Sequence, residues 1–391
     1  MPFNKNMVVL LFGLFIVMVG FGMTLPVLPF YIQKLSFAKG ISPEKIWLHV
    51  GLITGSYPLM QFLFSPFLGA LSDKIGRRPI ILYGLAGYSI TTFLFSTSGS
   101  LFFLYLFRLL SGLFSAAFLT ASSAYIADNT TEKTRGSSMA LLGSVVGLGV
   151  VAGPLIGNLF SKINITIGQF TLDQFSIPFS ISAVLVLMVL GILFFALSEY
   201  QKSSIHEISK PKDTGRESAF AFLKTLKKSF LLLLFLSFIS QLSLAMFEGT
   251  FALHSQRLFS FGPKQMSIVF IVCGSVMGLF QLGPVAWLVK NKGESALLPY
   301  GLIILSIGMS LLMLSDKMAL ILLFVSIVSV GMAILTPCLA SLVTKDSGQN
   351  YGTGLGIYSS VNSLGQVLGV VAGSIMMSKF VHLPYFIISI I

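Results

Sequence analysis

The chain has 391 residues, 55% of them hydrophobic and only 10% charged, with a formal net charge of +12. A soluble globular domain carries roughly 25% charged residues, so a water-soluble enzyme is excluded, and the apolar content excludes a disordered chain. Apolar runs of about 20 residues, the length of helix that crosses a hydrocarbon core of roughly 30 Å, recur throughout and predict an all-α, polytopic membrane protein. The basic residues fall between these runs instead of along one face, which argues against a nucleic-acid partner and for a topology signal.

A hydropathy window of about 19 residues predicts spans at 7–33, 46–71, 79–98, 100–127, 134–161, 175–197, 230–257, 264–290, 295–314, 318–343 and 352–378. The first run continues for about 25 residues, too long for a cleavable signal, so the first helix is retained. Loops on the N-terminal side hold Lys and Arg in roughly two-to-one excess, which places the N-terminus in the cytoplasm. Span one carries Gly20, Gly22, Pro26, Pro29 and Phe30. The loop after span two reads Gly69-Ala-Leu-Ser-Asp73-Lys-Ile-Gly76-Arg77-Arg78-Pro79. There Gly76 reverses the chain, and Asp73 and Arg77 are near enough to pair or to meet helix ends. A purely topological basic loop is the plainer alternative.

Span four contains Arg108, and an arginine at that depth costs about 2.5–3.5 kcal/mol, so it should face a cavity or a partner. Snorkelling would have to bridge about eight residues, or ~12 Å, to the outer end. Asp128 closes the same span. Span five repeats glycine every four residues at Gly149, Gly153 and Gly157, with Pro154 among them; small residues permit close helix contact and proline bends the helix.

The polar stretch 198–229 divides an N-terminal bundle, 1–197, from a C-terminal bundle, 230–391. It reads as a solvated linker, with an amphipathic surface helix over Glu217 to Lys228 as the alternative. Span seven holds Glu248, the one carboxylate predicted within a membrane core. Desolvation there favours a neutral carboxyl able to exchange a proton, so Glu248 is the leading proton carrier; binding a cationic substrate or pairing with another helix are the alternatives. Counted from the outer ends, Glu248 and Arg108 fall at a similar depth. Gln61, Gln281 and Asn362 are rare polar residues in spans, and Phe114, Phe118, Phe247, Phe251, Met277 and Tyr358 offer aromatic and soft surface for a flat, lipophilic solute. A twelfth span begins near His382, but Leu383 to Ile391 is too short to cross as a helix.

The halves repeat. Leu148-Gly-Val-Val-Ala-Gly153 recurs as Leu368-Gly-Val-Val-Ala-Gly373, and Gly76 to Gly84 aligns with Gly293 to Gly301, at offsets of 220 and 217. Duplicated bundles with a site between them are the construction principle of secondary transporters. No Gly-rich phosphate loop appears, the histidines lack metal-ligand spacing, and Cys273 and Cys338 imply no disulfide framework.

These segments resemble the major facilitator superfamily. The Gly69 to Pro79 loop is similar to its signature loop between helices two and three. The resemblance implies that Asp73 caps helix eleven and joins Arg77 and Asp128 in a network, with Gly69, Gly76 and Arg78 completing the switch. Arg108 with Gly112 resembles the family's helix-four motif, assigned to proton transfer or substrate contact. Span five resembles the antiporter motif through Gly149, Gly153, Pro154 and Gly157, with Asn158 where the last glycine belongs. Span one matches the paired prolines of drug exporters, and the stretch around Glu248 resembles helix seven of quinolone and multidrug exporters, without their second acid in helix ten.

The resemblance implies a twelve-span, proton-coupled antiporter that exports lipophilic or cationic drugs by alternating access. It implies a monomer in the inner, cytoplasmic membrane, with the proton as coupling ion and no cofactor. The alternatives are a carrier for a metabolite such as a sugar, lipid or siderophore, and a non-transporting membrane sensor.

Overall fold

A computed structural model describes residues 5–130, 132–160, 165–167, 170–198, 228–312, 317–346 and 351–379. The predicted linker, with its alternative surface helix over Glu217 to Lys228, and the predicted twelfth span lie almost wholly outside the described residues. The N-terminal half comprises α1 (Lys5–Thr24), α2 (Leu28–Ala38), α3 (Pro43–Ile75), α4 (Arg77–Ser96), α5 (Leu101–Asp128), α6 (Glu132–Leu159) and α7 (Ile177–Ala196). The C-terminal half comprises α8 (Lys228–Phe259), α9 (Pro263–Phe280), a π-turn at Gln281–Val285, α10 (Ala286–Lys292), α11 (Glu294–Leu311), α12 (Met318–Asp346) and α13 (Tyr351–Lys379). Among the described residues, nine helical segments are long and apolar enough to cross a membrane.

Proline removes a backbone donor in two predicted spans, breaking the first and distorting the eighth. Span one is α1 and α2, separated around Pro26, and α2 is pinned to the end of α4 by Tyr31, whose hydroxyl donates toward the carbonyls of Ser96 at 3.1 Å and Ser98 at 3.0 Å. Span eight is α9 and α10, joined by the π-turn that contains Pro284. Strands β1 (Ile165–Ile167) and β2 (Phe170–Leu172) add a small antiparallel hairpin, pairing Ile165 with Leu172, in a loop that hydropathy leaves featureless.

The sequence repeat is a repeat of packing. A methyl built at Gly84 in α4 would stand 2.7 Å from the Phe118 amide of α5, and one at Gly301 in α11 would stand 2.9 Å from Leu335 of α12. Gly149 and Gly153 of α6 seat against Met18, Val19 and Met23 of α1, while their counterparts Gly369 and Gly373 of α13 seat against Leu242 and Met246 of α8. Both turns between the paired helices use a glycine with positive φ, 110° at Gly76 and 79° at Gly293, where a side chain would be strained.

The halves meet through α3 against α13 and α6 against α9, with α2 and α3 touching α8. These contacts lie toward the membrane face opposite the N-terminus, hereafter the far face. Gly51 abuts Ser374, Gly55 abuts Val371, and Gly274 abuts Val151. Toward the N-terminal face, a methyl added at Gly143, Gly147, Gly278 or Gly283 meets no described atom within 4 Å. The halves are sealed at the far face and separated at the N-terminal face, and the cleft between them opens there.

At the far face, Lys34 of α2 forms an ion pair with Asp173, whose Oδ1 also accepts the backbone N–H of Ser176 at 3.0 Å. Burial alone would raise the Asp173 carboxyl, but Lys34 and the Ser176 N–H outweigh it and hold it below its ordinary value. A depressed carboxylate contributes stability above its unfolded value and loses it as pH falls through the folded one. Asp173→Asn is therefore expected to lower thermal stability near neutral pH by about 0.2–1 kcal/mol, the range of a solvent-screened pair. The difference from the parent protein should vanish in acid; a difference independent of pH refutes the assignment.

Candidate functional site

The residues singled out in the sequence fall into four places. The first is the N-terminal-face turn between α3 and α4. Arg77 pairs with Asp73, its Nε donates to Asp128 Oδ2 at 2.9 Å, and its Nη1 donates to Ser72 Oγ at 2.5 Å. Arg78 turns away, donating to the Phe194 carbonyl at 2.7 Å with its guanidinium 5.8 Å from the Phe194 ring. The geometry follows from local structure: Gly76 stops α3, which aims the last-turn Asp73 and the first-turn Arg77 at each other and at the end of α5. Gly69 on α3 lies against Thr120 of α5. The expected capping contact at the start of helix eleven falls at 347–350, outside the described residues.

The second is the α1–α6 seam. Gly149, Gly153 and Gly157 all face α1, and the carbonyl of Val150 abuts Gly22 from the other side. Pro154 lies inside a continuous α6.

The third surrounds Arg108, which is 5% exposed and buried inside the N-terminal half. Its guanidinium lies 4.6 Å from the centroid of the Tyr57 ring and 6.0 Å from that of Phe95, a cation–π arrangement, and its Nε has no hydrogen-bond partner among the described residues. Tyr57 in turn donates to Ser115 Oγ at 2.6 Å, and Gln61 donates to the same oxygen at 3.2 Å. Close approach is possible because Gly112 presents no side chain to the Tyr57 backbone. The Tyr57 and Phe95 rings are thus the described partners of a guanidinium withdrawn from solvent.

The fourth is in the C-terminal half. Glu248 is partly buried on α8, within electrostatic reach of Cys273 on α9. The neighbouring Gly249 packs on Val370 of α13. No hydrogen bond or ion pair joins Glu248 to another described side chain. Glu248 and Arg108 therefore belong to separate halves in this state, and the structure does not bring them together.

Toward the N-terminal face of the same half, Ser237, Ser240 and Gln241 of α8, Met332, Thr336 and Leu339 of α12, and Tyr358 and Asn362 of α13 line a cavity of about 50 Å³. Ser237 bonds Asn362, and the Tyr358 hydroxyl points at the Thr336 carbonyl 3.4 Å away. Of the residues expected to line a cavity, Tyr358 and Asn362 do, and Gln61, Met277 and Gln281 are partly buried. Phe118, Phe247 and Phe251 are corrected: at 1%, 0% and 1% exposure they are packed inside the bundles, where their area is worth more than at a wet surface. Phe114 lies partly buried against Gly87, filling the gap between α4 and α5. Sequence reading missed Ser237, Ser240, Gln241 and Thr336. The first three stand at i, i+3 and i+4, a polar stripe on an otherwise apolar helix that is the signal for a cavity-facing surface.

The model of the Major Facilitator Superfamily matches residues 10–388. Multidrug resistance protein 1 of Bacillus subtilis is 27% identical over 384 residues, covering 98% of this chain and 92% of that protein. Quinolone resistance protein NorA of Staphylococcus aureus is 25% identical over 386 residues, with the same coverage of 98% and 92%. Among solved structures, a bacterial homolog of the human lysosomal transporter Spinster, in an inward-facing and unoccupied conformation, superimposes with a TM-score of 0.75 at 14% identity, covering 98% of this chain and 96% of that one.

Proposed function

Because the chain belongs to the Major Facilitator Superfamily, a family of multi-pass membrane transporters and not of enzymes, we propose that it is a proton-coupled antiporter that exports lipophilic or cationic drugs. The N-terminus is cytoplasmic, so the cleft seen here opens to the cytoplasm. The protein works as a monomer in the cytoplasmic membrane and needs no coupling partner beyond the proton.

The observation that carries this reading is Glu248, a carboxyl on a membrane-spanning helix with no ion-pair partner among the described residues. A lone carboxyl at that position is costly to keep unless it is used. It takes a proton when the site faces outside, the halves rock, and the proton leaves to the cytoplasm as the drug is taken up for export. Arg108 holds the complementary charge in the other half, and the cleft surface near Tyr358 and Asn362 receives the solute. Similarity to proteins named for multidrug and quinolone resistance supports the choice of drugs over metabolites. The neutral hydrogen-bonding lining of the small cavity favours, as a second reading, a carrier for an uncharged polar metabolite.

The test is flux of a fluorescent lipophilic cation in inverted vesicles with an imposed pH gradient. Uphill accumulation that collapses when the gradient is dissipated is the expected result. Accumulation indifferent to the gradient removes proton coupling, and inward, concentration-driven uptake of an uncharged polar solute selects the second reading.

A further inference from the structure

Two polar rows run side by side inside the C-terminal half. The Cys273 thiol of α9 reaches both the Ser329 hydroxyl of α12 and the field of the Glu248 carboxyl of α8, so Glu248 and Ser329 stand near one level. Helix α8 runs away from the N-terminal face and α12 returns toward it. Seven residues make nearly two helical turns, about 10 Å, and come back to within about 20° of the same face. That step toward the N-terminal face leads from Glu248 to Gln241 on α8 and from Ser329 to Thr336 on α12, and both Gln241 and Thr336 line the cavity of about 50 Å³ described above. A buried water needs roughly 10–15 Å³ and two to four polar partners. The cavity has that room, and Ser237, Gln241, Thr336 and Asn362 supply the partners.

Between the two levels the same helix faces turn apolar. Met332 lies one turn from Ser329 and one turn from Thr336, is 2% exposed, and forms part of the cavity wall. Leu244 stands likewise between Glu248 and Gln241 on α8. Pro337 lacks the N–H that an unbroken helix would give to the Ala333 carbonyl, which leaves a polar backbone group between Ser329 and Thr336. What separates the Glu248 level from the cavity is therefore a short apolar collar whose α12 side is a flexible thioether with three rotatable bonds. On the other side of the cavity, Tyr358 and Asn362 are partly exposed, so it meets the open end of the cleft.

We propose that the proton carried by Glu248 leaves through the interior of the C-terminal half, behind the wall of the cleft, with Met332 as the plug that swings aside for it. The carboxyl O–H bond breaks, the proton joins a water oxygen in the cavity, and the hydronium passes Gln241 and Thr336 to the cytoplasm. The carboxylate left behind meets the incoming cation. Two like charges then move in opposite directions without sharing one path, along which their repulsion would oppose both. This rests on the reading of Glu248 as the proton carrier but not on the identity of the drug.

The first test is solute-free proton leak into vesicles that contain the purified full chain and a trapped pH-sensitive dye. Met332→Ala removes the plug and is expected to raise the leak about tenfold, a decade of rate, and adding Glu248→Gln to it is expected to abolish the increase. A folded Met332→Ala protein that leaks no faster than the parent overturns the route, and so does a leak that persists without the Glu248 carboxyl.

Should Met332→Ala fail to fold, the double variant Gln241→Leu, Thr336→Val decides. Ethidium, a fluorescent lipophilic cation, is mixed rapidly with detergent-solubilised protein in weak buffer, and its binding and the release of protons are followed together. Proton release is expected to slow about tenfold more than ethidium binding. Equal slowing of both marks a merely structural defect and overturns the route. If the parent protein releases no proton on binding ethidium and its transport ignores the pH gradient, the reading of Glu248 falls together with the route. If release depends on Glu248 but is indifferent to Met332, Gln241 and Thr336, only the route falls.

Discussion

Replacing Glu248 with Gln is expected to reduce gradient-driven uphill export by about 100-fold, equal to about 2.7 kcal/mol of lost driving interaction, while leaving the fold intact. Glutamine matches the volume and most of the hydrogen bonding of a protonated glutamate but cannot ionise to release a proton. The site tolerates the change because Glu248 is partly buried and makes no ion pair with another described residue, so nothing is left unsatisfied. Coupling is lost and passive, downhill flux remains. Glu248→Asp, which keeps the carboxyl but withdraws it by one methylene, should retain coupling at a reduced rate. The measurement is solute accumulation and proton flux in the same vesicles. Full gradient-dependent accumulation by the Gln variant would falsify the assignment of Glu248 as the carrier.

The second large effect concerns the glycines of α6. Gly153→Val is expected to destabilise the protein by about 3 kcal/mol or more, the upper end of overpacking costs, and to abolish transport with it. A methyl at Gly153 would lie 2.5 Å from both the Met23 amide nitrogen and the Val19 carbonyl oxygen. Those are backbone atoms of α1, which cannot rotate aside as a side chain can. Gly147→Val, one and a half turns earlier on the same helix, is expected to leave thermal stability within about 0.5 kcal/mol, since no described atom lies within 4 Å of that position. Melting of the two purified variants separates a packing role from a general intolerance of bulk: equal losses at both positions would refute the one-sided seam.

Much of the architecture was legible in the order of residues. Nine of the eleven predicted spans meet the length and hydropathy of a membrane crossing among the described residues, because every backbone group inside a bilayer must be bonded within its own helix, and the repeat was visible in Leu148 to Gly153 against Leu368 to Gly373. The ends were less legible. Span one is two helices because Pro26 interrupts hydrogen bonding without changing hydropathy, and the turn between α3 and α4 was recognisable because only glycine adopts the 110° φ found at Gly76 at low cost.

The site was legible in its charges and not in its aromatics. Asp73, Arg77 and Asp128 announced themselves because charge is scarce in this chain and has few places to go. Phe118, Phe247 and Phe251 misled because an aromatic side chain has the same hydropathy whether it faces a solute, a lipid or another helix. Ser237 and Thr336 were overlooked because a lone hydroxyl in a membrane helix usually bonds its own backbone, as Ser240 does with the Leu236 carbonyl at 2.7 Å.

Composition and periodicity alone dictate that this chain lives in a bilayer, in two related halves, with Arg108 and Glu248 as its rare interior charges. Those properties depend on counting residues and on the cost of taking any charge out of water, which applies before the packing is known. Which face of the cleft is open, and that Arg108 rests on Tyr57 instead of approaching Glu248, both depend on how helices distant in sequence lean together. Glycines decide that leaning. Gly51, Gly55 and Gly274 seal the far face because Ser374, Val371 and Val151 of the opposite half seat directly on them, while Gly143, Gly147, Gly278 and Gly283 look identical in sequence and meet no described atom within 4 Å.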